Sequence, residues 1–468
     1  MTKVLLMGPS EDSLADFLAR GRKQARLLNK PILISQSLPL DDSINFSALF
    51  AACKQPAGDR TFWGRPDKDF WLIGKGNATK LTCNGSRSMN EMTDEHHSLL
   101  RSAQIEAPGI PGVGPVALVG FRYDTETPRD SDWQDFPDTM LVIPRFLFSR
   151  SGKSMWLTIN TMAEPEIDTA VQARRLISEL QTLDTDPLTK DEQPLIKCIN
   201  QDSVEQFTEY VQGALEEIEQ GLLTKVVAAR RKILYAERPF SLDNALRNLC
   251  QRYPDCTVFA IENGESSFFG ATPESLACVN EAKLSLTCIA GSTARGSNRE
   301  EDYKLERQLF ESPKERLEHT SVVAPVTESL KDLCRDLQWD REIQVLKLRN
   351  VQHLLTSVTG SLHSGNSILD VVKRLHPTPA VAGVPTDRAM DFIRKNEGDR
   401  GWYASPVGWL DHTEEGEFAV GIRSGLLFGK QAMLYAGAGI VKGSDPEDEV
   451  RETELKFQPI MTALGVSE

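Results

Sequence analysis

The sequence predicts an α+β protein with largely antiparallel sheets. Three observations carry that prediction. Strand-like runs group with strand-like runs and helical stretches with helical ones, unlike the regular alternation of a parallel α/β sheet. The stretch DTMLVIPRFLFSRSGKSMWLTIN reads as a hairpin turning at Ser151 and Gly152. The G-x-G in AGAGIVKG has no βαβ surroundings, so a dinucleotide fold is not indicated.

Taken in order, PILISQSLP and FWLIGKG read as strands, and IEAPGIPGVGPVALVGFRYD runs from a Pro/Gly loop into another. This first part mixes strands with loops and shows no strong chemical motif, so a structural role is expected for residues 1–190. Residues 179–194, ELQTLDTDPLTKDEQP, are polar and rich in breakers, the best boundary before a second part at 195–465. There SVEQFTEYVQGALEEIEQG has helical apolar spacing and stops at Gly221. Strand-like LTKVVAARRKILY, CTVFAIENG, SSFFGATPESLACV and KLSLTCIAGS follow. Helical segments are expected over 299–337, then the strand-rich EIQVLKLRNVQHLLTSVTGSL. The chain closes with GWYASPVGWLD, GEFAVGIRSGLLFGKQAMLYAGAGI and an acidic helix.

The totals narrow the class. Length alone, 468 residues, allows two or three domains or one large unit, with 40% hydrophobic and 26% charged residues. A net charge of -14 argues against nucleic acid or an anionic membrane as partner. The opening MTKVLLMGPSEDS has too short an apolar run for a signal core, and eight scattered cysteines form no C-x-x-C pair. A cytoplasmic, reduced protein is expected.

Several residues could do chemistry. Lys225 sits in LLTKVVAAR, a strand apolar on both faces. It either snorkels to the surface or is held inside, where burial disfavours the ammonium and a neutral amine base becomes possible. Glu274 follows Pro273 between apolar strands, as a helix-start carboxylate or as a partly buried acid able to donate a proton. SPKERLEHT sets Glu315 and Glu318 on one helix face, and EDEVRETELK does the same with Glu449 and Glu452, with Lys456 one turn on. Taken singly, such acids are usually solvated surface. Two E-x-x-E faces together could hold a hard divalent cation, Mg²⁺ if water and substrate complete the shell. AGAGIVKG and CIAGSTARG suit tight turns whose N–H groups meet a carboxylate, and Arg423 offers a fork for one.

The segments KVVAARR, FFGATPESL, IAGSTARG, KERLEH, VQHL, HPTPAVAGVP, YASPVGW, AVGIRS and YAGAGIVKGSDPEDEVRETELK, in this order, resemble the chorismate-utilising enzymes over about residues 200–460. The N-terminal half is similar more loosely, around GFRYD and VIPRFLF. This superfamily holds isochorismate, salicylate, anthranilate and aminodeoxychorismate synthases. The resemblance implies the large fold of the anthranilate-synthase type, antiparallel sheets in a sandwich flanked by helices. It also implies chorismate as substrate, with Mg²⁺ on its ring carboxylate. By matching position, Glu318 and Glu452 would bind the metal, with Glu315 and Glu449 beside them. Lys225 would be the base that activates water and Glu274 the acid that protonates the departing C4 hydroxyl. Gly291, Ser292, His353, Tyr403, Arg423, Gly439 and Lys456 match substrate-contacting positions.

Three positions discriminate among the members. Anthranilate synthases carry glutamine where Lys225 stands, so the resemblance implies water and not ammonia as nucleophile, and no amidotransferase subunit. The nucleophilic lysine of aminodeoxychorismate synthases is matched by Ala290. The threonine associated with pyruvate elimination is matched by Ala380. Isochorismate synthase is the implied activity, an isomerase feeding menaquinone or phylloquinone, siderophores or salicylate; salicylate synthase is the alternative. A monomer or homodimer is expected. The chain departs from the pattern at Ala228, commonly leucine, and in AGST for AGT, which leaves open whether Ser292 or Thr293 faces substrate.

Overall fold

The computed structural model describes residues 9–41, 44–55, 58–85, 88–183, 194–349 and 351–466. The opening apolar run and the centre of the 179–194 boundary lie outside the described residues. Within them, 21 strands join in one hydrogen-bonded network flanked by helices, and every strand pairing but one is antiparallel. The arrangement is α+β. Two large hydrophobic cores lie among the layers, one around Trp402, Phe268 and Val226, the other around Phe17, Phe146 and Leu234.

Strands from early and late sequence interleave. Arg60–Arg65 pairs with Thr257–Asn263, and Ala117–Phe121 pairs with Pro406–Leu410. The hairpin of Thr139–Ser151 and Ser154–Ala163 turns where expected. The early sequence also holds helices beyond the expected strands and loops, including Glu11–Leu28. Its buried Leu14, Phe17, Leu18, Gly21 and Ala25 recur at helical spacing, and Ser10 caps it by accepting from Ser13 N at 3.2 Å.

Long-range pairing overrode local pattern at three further places. The expected helical stretch ending at Leu337 gives way after Leu330 to a strand, Cys334–Trp339, drawn onto Val351–Leu362. AGAGI is no turn. It lies in the strand Gln431–Val441, which pairs along its whole length with Lys225–Ala236. IAGST is likewise inside a strand, Lys283–Ala294, as a bulge opposite Val351–Leu362 with Gly291 at φ +79°.

These pairings place the interior charges. Lys225 is hydrogen-bonded into sheet on both sides, opposite Val441 and Val384. The helix Pro313–Leu330 starts at its cap Ser312, which accepts from Glu315 N, and packs on the bulged strand. The helix Pro446–Ala463 starts at Asp445 and packs on Gln431–Val441. The first turns Glu315 and Glu318 inward and the second Glu449 and Glu452, while Glu328 and Glu447 stay exposed.

Candidate active site

Lys225 does not snorkel: it is 1% exposed, and its Nζ donates to Glu318 Oε1 at 2.9 Å. It opens on a cavity of about 730 Å³ including its mouth. Gly439, opposite Val227 in the neighbouring strand, makes room for the pair. A Cβ there would come within 2.3 Å of Glu318 Oε1 and 3.1 Å of Lys225 Cε. That close approach, rather than a turn, is why glycine stands at this position.

Glu274 faces the same cavity from the short link between the strands Ser266–Thr272 and Ser275–Asn280, so it starts no helix. Its backbone is pinned by Glu274 N donating to Thr272 Oγ1 at 3.2 Å and Val420 N donating to its carbonyl at 3.1 Å. Burial pushes its carboxyl up to about 7, against the pull of Lys225, Lys456 and Arg423. Near neutral pH a substantial fraction carries the proton that a general acid needs.

The bulge at Gly291 turns Ser292 toward the cavity, and Ser292 Oγ lies 2.9 Å from His353 Nδ1. Thr293 is not part of the lining, so Ser292 is the hydroxyl that faces it. Burial, reinforced by Arg423 and Lys456, lowers His353 to about 3, which leaves its imidazole neutral. Its Nε2 is buried and has no hydrogen-bond partner among the described residues. Arg423, at φ +49°, is also buried, and among the described residues no side chain bonds its guanidinium. Lys456 Nζ donates to Gly437 O at 2.8 Å and pairs with Glu452 Oε1 at 2.5 Å. Tyr403, stacked on Tyr435 at 4.9 Å between centroids, and Ala380 complete this wall. Open donors from Arg423 and Lys456, with the Ser292 hydroxyl beside them, suit an anionic, hydroxylated small molecule.

The expected metal ligands lie at the cavity's edge. Glu318 lines it; Glu315, Glu449 and Glu452 stand behind. Glu315 Oε2 accepts from Ser292 N at 2.9 Å. Burial and then the Glu318 carboxylate push Glu315 up to about 7. Glu449 is raised by burial and by Glu452, and Lys314, 3.0 Å from its Oε1, opposes this. For Glu318 burial is outweighed by Lys225, and its carboxyl falls below the ordinary value. Among the described residues no three acids converge as metal ligands do; Glu318, Glu452 and Glu449 each hold a lysine instead. The donors are nevertheless all oxygen, they repel one another, and Glu449 Oε2 is buried with no hydrogen-bond partner among the described residues. A hard divalent cation fits that set once the carboxylates turn from their lysines.

Sequence reasoning missed two groups here. His319 clips its helix to both strands of the bulged pair, Nε2 2.8 Å from Thr356 Oγ1 and Nδ1 3.3 Å from Ala290 O. Arg400 lines the cavity beside Val381. A charge between glycines in EGDRGWYAS was its only signal.

Comparison with known proteins adds four findings. Residues 20–465 match the family profile described as chorismate binding enzyme. Isochorismate synthase MenF of Bacillus subtilis is 31% identical over 449 residues, 94% of this chain and 95% of the relative. The salicylate biosynthesis isochorismate synthase of Pseudomonas aeruginosa is 31% identical over 471 residues, 99% and 97%. Among solved structures, the menaquinone-specific isochorismate synthase MenF of Escherichia coli superposes with a TM-score of 0.78 at 24% identity, covering 97% of this chain and 99% of that one. This last likeness speaks to the fold alone.

Proposed function

The chain belongs to the chorismate-binding enzyme family, and from that premise we propose how its residues isomerise chorismate. It is an isochorismate synthase, interconverting chorismate and isochorismate. Lys225 takes a proton from water as that oxygen bonds to C2. The ring double bonds shift, the C4–oxygen bond breaks, and Glu274 gives its proton to the departing hydroxyl. In reverse the two residues exchange roles. The observation that carries this assignment is that a buried lysine and a carboxylic acid held near 7 face one small cavity.

Arg423 and Lys456 bind the substrate carboxylates, and Ser292 and His353 orient the ring. Ala290 and Ala380 keep the wall apolar where related chemistries need a lysine or a threonine. Mg²⁺ is proposed at Glu318 and Glu452, with Glu315 and Glu449 behind them, where it would neutralise the ring carboxylate and act as a template. The protein is proposed to work in the cytoplasm, as monomer or homodimer, without an amidotransferase subunit.

The test is incubation with chorismate and Mg²⁺ followed by chromatographic separation of the products. Isochorismate as the main product is expected. Salicylate with pyruvate as the main products would replace this reading with salicylate synthase.

A further inference from the structure

Two buried arginines line the cavity, and they differ in what they leave open. Arg423 has no side-chain partner among the described residues, whereas four of the five N–H groups of Arg400 have protein acceptors. Arg400 Nε and Nη2 fork onto Glu397 at 2.7 Å each. Nη2 also donates to Val227 O at 2.7 Å, and Nη1 to Val381 O at 2.9 Å. Arg400 therefore ties the strand carrying Lys225, two residues from the base, to the turn carrying Ala380. Glu397 extends the tie, accepting from Ala229 N at 3.0 Å and Tyr210 OH at 2.7 Å. Tyr123 OH secures the same Val381 carbonyl at 3.0 Å, with the Arg400 guanidinium over its ring. Val227 N donates to Ala382 O at 2.8 Å, closing the junction.

We propose that Arg400, braced by Glu397, is a positioning residue that fixes the height of the Lys225 amine against the Ala380 wall. It acts on the proton-transfer geometry and leaves substrate affinity to Arg423. The inference rests on the isochorismate synthase reading, because it gives Lys225 the role of base. A second cleft backs onto the same pair, sharing Arg400 and Tyr435 with the cavity and lined also by Glu397, Phe207 and Tyr210. It gives a small cation access to the pair from outside the substrate cavity.

The experiment uses Arg400→Lys, Arg400→Ala and Glu397→Gln in the full chain. In Arg400→Lys, which keeps volume and charge but loses the fork, kcat should fall about 100-fold. KM for chorismate should stay within about threefold of the parent. Added guanidinium should restore activity to Arg400→Ala by about tenfold or more and do nothing for Lys225→Ala. Glu397→Gln, which leaves Arg400 in place, should lower kcat about tenfold and serves if Arg400→Ala does not fold. A folded Arg400→Lys with parental kcat, or a loss carried wholly in KM, overturns the proposal. So does parental kcat in Glu397→Gln. A parent enzyme that forms no isochorismate overturns the reading of function instead.

Discussion

Two buried ionic clusters in this protein are built to opposite ends. Around Arg60 the guanidinium forks onto Glu262 at 2.7 and 2.9 Å, reaches Asp243 at 2.7 Å and Phe50 O at 2.9 Å, and lies over the Phe50 ring. Burial alone would weaken its charge, but Glu262 and Asp243 outweigh it and drive its pKa up. Around Lys225, Glu315, Glu318, Glu449 and Glu452 share three lysines, Glu449 Oε2 has no hydrogen-bond partner among the described residues, and Glu315 and a fifth acid, Glu274, sit near 7. The first cluster closes nearly every bond and holds strands together. The second leaves bonds open, and open bonds in the interior are what a ligand or a reaction can use.

The largest effect separating the two belongs to the chemistry. Lys225→Ala and Glu274→Gln should each lower turnover by about 10³-fold with circular dichroism unchanged. More than a few per cent of parental activity in either would remove the assigned role. Arg60→Ala should do the reverse, destabilising the protein by about 3–5 kcal/mol in urea unfolding while the folded fraction keeps its kcat. A matching loss of kcat would erase the distinction between the clusters.

Glu274 sharpens it further. Its folded pKa of about 7 lies above the ordinary 4.5, so its burial penalty is absent below about pH 4.5, grows through that window and is full above 7. Glu274→Gln should therefore stabilise the protein at pH 8 by about 3 kcal/mol, and hardly at all at pH 4.5. Equal melting temperatures at pH 8 would contradict the raised value. The smallest effect expected is on metal. Glu449→Gln should weaken Mg²⁺ binding about tenfold in calorimetry on the protein alone, whereas Glu262→Gln should not change it.

The sequence made the chemistry more legible than the framework. E-x-x-E spacing is a local signal, and helices formed at both places where it occurs. Lys225 announced itself as a charge in an apolar strand. The glycines of AGAGI misled, because a turn and a crowded strand interior both call for glycine. Only a glutamate on a helix 121 positions earlier in the chain tells them apart at Gly439 (439 − 318). Cys334–Trp339 left its helical expectation because it pairs with Val351–Leu362, a strand beyond the next one, Gln344–Lys347, and no pattern within its own residues signals that pairing. Arg400 showed only as a charge between glycines, because its meaning lies in carbonyls at Val227 and Val381 that no local pattern brings together.

Gly439 also offers a lever of a different kind. A single methyl there would strike the carboxylate end of Glu318 and press on Lys225 Cε, side-chain atoms in both cases, so those side chains would have to give before the backbone does. Gly439→Ala would thus part Glu318 from Lys225 by a steric wedge, with no charge added or removed. Sequence variation at this one position can therefore retune how tightly the Lys225 amine and the Glu318 carboxylate are yoked without changing the charge of either.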